Sequence, residues 1–297
     1  MGKQPIVSHF FDFHTYPENR WEVLFEEFAE CGATHITLNS IIAAQIMVGP
    51  DVVRTFRSLG EKHHIRFFDA HGLWSSQNWD LNVDDPERRK YMFDQHKLCI
   101  RLLASLGVRN YTMHIGALSC VQDRWFGHED YFRGLALESL ETLLPVAEKE
   151  GVTIAIENSF EPSNAPEELL YYLERLKSPS LGVCFDVGHA VVMADDSIPR
   201  DRDENNDDNR IISWHGRLKF QHDALGMLAP YIVTAHLHDN DGCRDRHQLI
   251  FDGVADWKKY IHGLRECPRL VSIQNEVSSG YASIARMCRA FDRLLTL

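Results

Sequence analysis

Residues 152–186 read VTIAIENSFEPSNAPEELLYYLERLKSPSLGVCFD, and they contain the unit from which the rest of the chain is built. Two near-continuous apolar runs, VTIAIE (152–157) and LGVCFD (181–186), enclose a longer stretch with a helical pattern. Runs of this kind are typical of parallel strands that are buried on both faces of a sheet. Each run ends in an acid, Glu157 or Asp186, at the carboxyl end of the predicted strand.

The same alternation of strand and helix patterns extends along the whole chain. A length of 297 residues suits one large α/β barrel or two modest domains. One helix is predicted to start at Asp85-Pro86 and to end near Gly107, and two others are predicted to stop at Gly32 and Gly151. Eight β/α units favour a single-domain (β/α)8 TIM barrel over a doubly wound sheet. The eight candidate strands are IVSHFF (6–11), HITLN (35–39), IRFFDA (65–70), RNYTMHI (109–115), VTIAIE (152–157), LGVCFD (181–186), IVTAHLH (232–238) and LVSIQNE (270–276).

The composition argues against nucleic-acid binding and against a membrane location. Lys and Arg number 31 against 43 Asp and Glu, which gives a formal net charge of -12 that opposes contact with phosphates. The sequence contains no apolar run long enough for a signal peptide or a membrane span. The seven cysteines are widely spread and form no C-x-x-C pair, which is typical of reduced thiols. We expect a soluble, cytoplasmic protein.

One polar segment interrupts the alternation between the sixth and seventh strands. Residues 195–210 read DDSIPRDRDENNDDNR, and we treat the region 195–212 as an insertion in the barrel. Such a segment is usually a solvated surface excursion, and a lid or a contact between subunits is the alternative.

Acids and imidazoles occur at six consecutive strand ends. In a barrel the carboxyl ends of all strands form one ring, so side chains at these positions converge. A single histidine at a strand end is more often structural than functional, but six such ends together predict a site. The residues are His71, His114, Glu157, Asp186 with His189, His236 with His238, and Glu276.

The acids at these strand ends call for a divalent cation. Buried carboxylates on neighbouring strands repel one another unless a cation lies between them. Glu157, Asp186 and Glu276 with one imidazole, from His236 or His238, form an oxygen-rich ligand set that suits Mn²⁺, Mg²⁺, Co²⁺ or Zn²⁺. We expect His238 to point to the opposite side from His236, and Asp239 to belong to the loop that follows.

The chain resembles the xylose isomerase-like TIM-barrel family, which includes sugar and sugar-phosphate isomerases and epimerases together with endonuclease IV. The resemblance covers nearly the whole chain and is carried by IAIENS (154–159), GVCFDVGHA (182–190), AHLHDNDGCRDRH (235–247) and QNEV (274–277). It implies that one divalent metal ion, commonly manganese, is held by Glu157, Asp186, His236 and Glu276. It also implies that Glu157 and Glu276 move substrate protons and that His189 contacts the substrate.

The same resemblance leaves a second function open. In endonuclease IV three zinc ions are held at matching positions, and every one of those residue types is present in this chain. Two departures from the family pattern concern the loop beside the site: Ile250-Phe251-Asp252-Gly253 replaces the usual glycine turn, and Gly242 stands where some ketose epimerases have an arginine. The additional possible metal or substrate ligands are His71, His114, His189, Asp245 and His247.

Aromatic and polar residues near the strand ends are candidates for substrate contact. Trp74 and Trp79 follow His71, and Trp125 and Phe126 follow His114. Flat aromatic rings at a barrel mouth stack on a sugar or pack between loops. The candidate substrate-binding residues are His189, His114 and Trp74, with His14 and Asn39 as further candidates.

These observations favour a metal-dependent carbohydrate isomerase or epimerase. The metal ion would bind the carbonyl and the adjacent hydroxyl of the substrate and stabilise an enediolate, while one glutamate removes the α-proton and the other returns it. Dehydration or elimination begins with the same step, so a lyase on the same scaffold is an alternative. We expect one divalent ion, Mn²⁺ before Zn²⁺, Co²⁺ or Mg²⁺, a small carbohydrate substrate and a homo-oligomer. The endonuclease-like phosphodiesterase and a non-enzymatic barrel remain alternatives.

Overall fold

Eight parallel strands form the centre of the computed structural model, which describes residues 4–73, 80–116, 122–194, 213–278 and 280–297. All eight lie where the apolar runs predict them, although most are shorter than the runs. The strands are β1 (Ile6–Phe10), β2 (Ile36–Thr37), β3 (Asp69–His71), β4 (Asn110–Met113), β5 (Thr153–Glu157), β6 (Leu181–Asp186), β7 (Ile232–Leu237) and β8 (Ser272–Asn275).

The sheet closes on itself. The strand order is β2-β1-β8-β7-β6-β5-β4-β3, and all pairs are parallel. The two outer members, β2 and β3, approach each other through two isolated parallel bridges, His35 to Arg66 and Leu38 to Ala70. This arrangement confirms the (β/α)8 barrel.

The helices surround the strands and obey the predicted capping signals. The Asp85 side chain accepts a hydrogen bond from the Arg88 backbone N–H at the start of the fourth helix, which ends at Gly107 in the left-handed conformation with a φ of 108°. Within the described residues the α-helices are α1 (Trp21–Glu30), α2 (Ser40–Val48), α3 (Pro50–His63), α4 (Pro86–Leu106), α5 (Gln122–Trp125), α6 (Glu129–Glu150), α7 (Pro166–Leu176), α8 (Val187–Ala194), α9 (Ala224–Leu228), α10 (Trp257–Arg265) and α11 (Ile284–Leu295).

Two features differ from the simple alternation. The third strand was expected at 65–70, but β3 begins only at Asp69, because Arg66 makes no more than an isolated bridge. Within the described residues, three connections contain more than one α-helix, namely those after β2, β4 and β6. The 195–212 insertion, Trp74 and Trp79 lie outside the described residues.

A buried polar network fills part of the barrel interior below the carboxyl ends of the strands. Asp69 Oδ1 accepts hydrogen bonds from Asn110 Nδ2 at 2.8 Å and from Ser272 Oγ at 2.7 Å. Gln274 Nε2 donates to Thr234 Oγ1 at 2.8 Å and extends the network across β7 and β8. The apolar core lies between the strands and the helices, where Phe25, Phe56, Leu103 and Phe291 are buried. Among the described residues, no helix is both long and apolar enough to cross a membrane.

Candidate active site

The carboxyl ends of the strands bring the predicted ligands to one place. His71, Glu157 and Asp186 are the last residues of β3, β5 and β6, while His114 and Glu276 directly follow β4 and β8. The parallel register sets Asp186 of β6 beside His236 of β7. Because neighbouring parallel strands end at the same level, side chains far apart in sequence meet here.

The four residues expected to hold one metal ion form a compact group. Glu157 Oε1 lies 2.9 Å, and Glu276 Oε2 lies 3.0 Å, from His236 Nδ1. Asp186 Oδ2 lies 3.8 Å from the same nitrogen. One ligand atom from each of the four side chains falls within 4.8 Å of the others. Three carboxylates therefore surround one imidazole nitrogen.

Two further histidines approach the other oxygen of Glu157. His114 Nε2 lies 3.0 Å, and His71 Nε2 lies 3.6 Å, from Glu157 Oε2. The two imidazole nitrogens are themselves 3.4 Å apart. His71 Nδ1 lies 3.0 Å from the carbonyl oxygen of Gly72, which fixes the orientation of its ring. Glu157 thus lies between two sets of potential ligands.

A third group lies on the opposite side of Asp186 and includes the D-x-H pair of the loop after β7. His189 Nε2 lies 3.4 Å, and His247 Nε2 lies 3.1 Å, from Asp245 Oδ2. His247 Nδ1 lies 2.8 Å from the carbonyl oxygen of Glu276. This contact ties the loop to the end of β8, so Asp245 and His247 join the cluster although they belong to no strand.

His238 also belongs to the cluster, and the expectation that it points away from His236 is wrong. Residues two apart on a strand lie on the same face, so both imidazoles turn inward. His238 Nε2 lies 3.2 Å from Asp186 Oδ2, and its ring stacks on that of His247 at 4.0 Å between centroids. Gly188 makes room for it, because a Cβ there would overlap the His238 ring.

The neighbouring Asp239 has a structural role in the same loop. Its Oδ2 accepts hydrogen bonds from Trp257 Nε1 at 2.7 Å and from the Phe251 backbone N–H at 3.1 Å. Phe251 has a φ of 74°, and a Cβ at Gly253 would overlap Asn240 and Asp239. Residues 250–253 therefore form a turn that packs on Asp239.

The charges of the cluster are balanced in pairs of acid and imidazole. Burial raises the pKa of Glu157, but the nearby His236 and His114 outweigh it and hold that pKa well below its usual value. Burial raises the pKa of Glu276 as well, and His236 brings it down to about 2. Burial lowers the pKa of His247, but Asp245 raises it to about 10. A bound cation would take the place of the imidazole protons in this balance.

The donor set fits a divalent cation. Two ligands of one ion, each roughly 2.0 to 2.2 Å from it, lie no more than about 4.4 Å apart, close to the separations seen here. Glu157 Oε2, Glu276 Oε2 and Asp245 Oδ1 are buried, and although imidazole nitrogens lie near them, they accept no hydrogen bond of suitable geometry from the described residues. Buried carboxylate oxygens without donors are costly, and coordination would satisfy them.

A cavity of about 260 Å³ opens onto the cluster. It is lined by several predicted residues and by Phe10, Ser40, Phe160 and Glu161, which the sequence analysis did not single out. The buried thiol of Cys184 also lies beside Glu157 and His236. The position of Cys184, two residues before Asp186 on β6, gives it the same face and is a signal that the sequence contained.

The remaining described residues that were predicted to contact substrate lie away from the cavity. Trp125 is buried against Phe132, and Phe126 packs near Trp214 at 6.1 Å. Asn39 caps α2, where its Oδ1 accepts a hydrogen bond from the Ile42 backbone N–H. The cavity lining includes none of these four residues, Trp125, Phe126, Asn39 and His14.

Comparison with solved structures shows a shared fold. D-psicose 3-epimerase from Clostridium cellulolyticum H10 is 13% identical, with 97% of this chain and 98% of that chain covered and a TM-score of 0.68. A protein of Thermus thermophilus, from a structure soaked with zinc chloride, is 21% identical, with 98% of each chain covered and a TM-score of 0.63.

Comparison of sequences gives the family. An uncharacterised protein of Methanocaldococcus jannaschii is 25% identical over 162 residues, which cover 52% of this chain and 48% of that protein. The chain spans about half the length of the curated relatives it matches. A family model described as the xylose isomerase-like TIM barrel matches residues 25–269. With that match over most of its length, and with the closed barrel of eight strands, this chain belongs to the xylose isomerase-like TIM barrel family.

Proposed function

We propose that the protein is a divalent-metal-dependent isomerase or epimerase of a sugar, a sugar phosphate or a polyol ketone. The observation that supports this most is the position of two glutamates around one point: Glu157 Oε1 and Glu276 Oε2 lie 2.9 and 3.0 Å from His236 Nδ1. Both glutamates line the cavity. A substrate there meets two carboxylates from different strands, which suits removal of a proton at one position and its return at another.

The residues divide the reaction between them. A divalent ion held by Glu157, Asp186, His236 and Glu276 would polarise a carbonyl and an adjacent hydroxyl and so acidify the α-proton. Glu157 or Glu276 takes that proton, and the other glutamate delivers a proton to the neighbouring carbon or to the opposite face. His114 and His189 lie at the cavity wall, where they orient substrate hydroxyls. Mn²⁺ is the ion we expect, because carboxylate oxygens dominate the set.

Elemental analysis and proton exchange test the proposal together. Protein purified without added metal or chelator is analysed for metal identity and ions per chain, and is then incubated in D₂O with a panel of ketoses and inososes. We expect about one Mn²⁺, Co²⁺ or Mg²⁺ per chain and metal-dependent loss of an α-proton signal in NMR spectra. Absence of exchange across the panel with metal bound would count against an isomerase.

A second candidate function is phosphodiester hydrolysis at a site with several zinc ions. The specific observation in its favour is the pair of extra ligand groups, with His71 and His114 on one side and His238, Asp245 and His247 on the other. This function predicts two or three zinc ions per chain and hydrolysis of bis(p-nitrophenyl) phosphate. The net charge of -12 opposes a nucleic-acid substrate.

Cytoplasmic location and homo-oligomerisation remain predictions.

A further inference from the structure

A second cavity, of about 370 Å³, lies at the end of the barrel opposite the active site. Its wall includes Ile6, the first residue of β1, and the segment from Cys31 to His35 that precedes β2. The facing wall is α11, which packs against α1 and contributes Cys288 and Phe291. Two cysteines therefore line one cavity, one from the end of α1 and one from α11.

The two thiols are neighbours that differ in access to solvent. Cys31, the residue directly after α1, is half-buried, whereas Cys288 is only 5% exposed. Burial raises the pKa of Cys288 to about 12, and the charge of Cys31 and a hydrogen bond between the two thiols act in the same direction. Oxidants react with partly exposed thiols before buried ones, so Cys31 is the thiol that they reach first.

An imidazole lies beside the buried thiol. His9 Nε2 lies 3.9 Å from the Cys288 sulfur, and His9 Nδ1 is buried without a hydrogen bond from the described residues. Burial lowers the pKa of His9 to about 4, so its ring is neutral near pH 7 and one of its nitrogens can accept a proton. Cys288 thus has a proton acceptor next to it, which a buried thiol needs in order to react as a nucleophile.

We propose that Cys31 and Cys288 form a redox modification site, at which a peroxide joins the end of α1 to α11 through a reversible disulfide. The described cysteines are free thiols in this structure, which corresponds to the reduced form of the pair. The site lies at the amino ends of the strands, away from the acids and imidazoles of the active site. It is therefore independent of the proposed isomerase reaction.

The reaction consumes one molecule of hydrogen peroxide. The Cys31 thiolate attacks one peroxide oxygen, the O–O bond breaks, and a sulfenic acid and a hydroxide form; the proton released by Cys31 converts this hydroxide to water. The Cys288 sulfur then attacks the Cys31 sulfur, and the S–O bond breaks as the S–S bond forms. His9 takes the proton of Cys288 and passes it to the departing hydroxide. Two thiols lose two electrons, and the peroxide gains them and leaves as two water molecules.

The disulfide would enclose most of the chain in one loop, because its ends lie at residues 31 and 288 of 297. A cross-link over a long loop removes conformational entropy from the unfolded chain and so stabilises the folded one. We expect oxidation to raise Tm by about 5 to 10 °C.

Peptide mapping after peroxide treatment tests the proposal. The full chain is treated with hydrogen peroxide, the remaining thiols are blocked with iodoacetamide, and the unreduced digest is analysed by mass spectrometry. We expect a linked peptide pair that contains Cys31 and Cys288, together with a rise in Tm, and dithiothreitol should reverse both. In Cys288→Ser, oxidation of Cys31 should stop at the sulfenic acid, which dimedone traps.

Matched variants separate this pair from the other thiols. Cys267→Ser changes a buried cysteine that hydrogen-bonds the Gly263 carbonyl oxygen and does not line this cavity, so it should keep the link and the rise in Tm. Cys31→Ser and Cys288→Ser should lose both. His9→Leu should form the link at least about 10-fold more slowly, and an unchanged rate would overturn the role of His9. Free thiols at Cys31 and Cys288 after oxidation, or pairing of either with a different cysteine, would overturn the proposal.

Discussion

Glu157 at the mouth of the barrel and Asp69 in its interior are both buried carboxylates, yet their surroundings act on them in opposite directions. Glu157 is 1% exposed and Asp69 is 0% exposed. Burial raises the pKa of both, but for Glu157 the charges of His236 and His114 reverse the effect. Asp69 has mainly neutral donors, including Asn110 and Ser272, and its pKa stays raised. The charge of the neighbours therefore decides which carboxylate is available to a cation.

Buried imidazoles show the same contrast. His247, at the mouth, has its pKa lowered by burial but raised to about 10 by Asp245. His9 packs between the barrel and the helices, near Phe28 and Phe291, and burial lowers its pKa to about 4. The mouth thus combines acids and bases that favour each other's charged forms, while in the body of the barrel burial shifts the pKa of Asp69 and of His9 toward their neutral forms.

The largest effect is expected from neutralising one glutamate of the mouth. In the proposed mechanism Glu276 gives or takes the substrate proton, so Glu276→Gln should lower the rate of α-proton exchange by about 10³-fold or more. Exchange rates from NMR spectra and metal content are measured on the same sample. Asp69→Asn, a matched change in the barrel interior, should retain most of the activity. Persistent exchange in Glu276→Gln with metal bound would show that the catalytic assignment is wrong.

Metal removal should destabilise the mouth and leave the interior network unaffected. Binding to the folded state alone contributes about 3 to 4 kcal/mol at an ion concentration 100 to 1,000 times Kd, so a chelator should lower Tm by about 5 to 10 °C. Calorimetry with and without chelator measures this drop. Asp186→Asn lacks one of the proposed ligands, so the chelator should lower its Tm by less than that of the wild type. In Asp69→Asn the chelator should lower Tm by the same amount as in the wild type. An equal drop in Asp186→Asn would exclude Asp186 as a ligand.

Acid should destabilise the protein through His9. Its pKa falls from 6.5 in the unfolded chain to about 4 in the folded protein, so the unfolded state binds more protons between these values. This contribution to stability is complete above pH 6.5 and is lost as the pH falls toward 4, by about 2 kcal/mol between pH 7 and pH 5. Urea unfolding of His9→Leu should show a shallower pH dependence than the wild type.

A surface histidine provides the control for this measurement. His262 is exposed on α10, and His262→Leu should retain the slope of the wild type. The acids of the mouth titrate equally in all three proteins and cancel in the comparison. If the free energy of unfolding of His9→Leu falls with pH as steeply as that of the wild type, the pKa of His9 is not lowered in the folded protein.

The smallest effect, measured on the free energy of unfolding without substrate, is expected from Asp69→Asn. Burial raises the pKa of Asp69 and so disfavours its charged form, and the amide oxygen of an asparagine would keep the hydrogen bonds from Asn110 and Ser272. The free energy of unfolding at neutral pH should change by no more than about 1 kcal/mol. Chemical denaturation measures it. A loss of about 3 kcal/mol or more would mean that Asp69 is ionised and that the contrast with Glu157 fails.

Much of the fold was predictable because local pattern and chain order determine it. The apolar runs located all eight strands, and Asp85 and Gly107 marked the ends of α4, because capping and buried parallel strands leave signals in short windows of sequence. The strand ends also predicted Glu157, Asp186, His236 and Glu276 as neighbours, since a closed barrel brings those ends into one ring.

The sequence by itself determined the barrel, its family and the ring of acids and imidazoles, because these depend on residue type and on position along each strand. Only the tertiary structure decided that Gly188 leaves space for the His238 ring and that Asp239 supports the loop. It also placed Glu161 at the cavity wall through Asn164 and the backbone of Ile115. Such contacts join segments distant in sequence, and close packing across the barrel mouth, which no local pattern encodes, determines them.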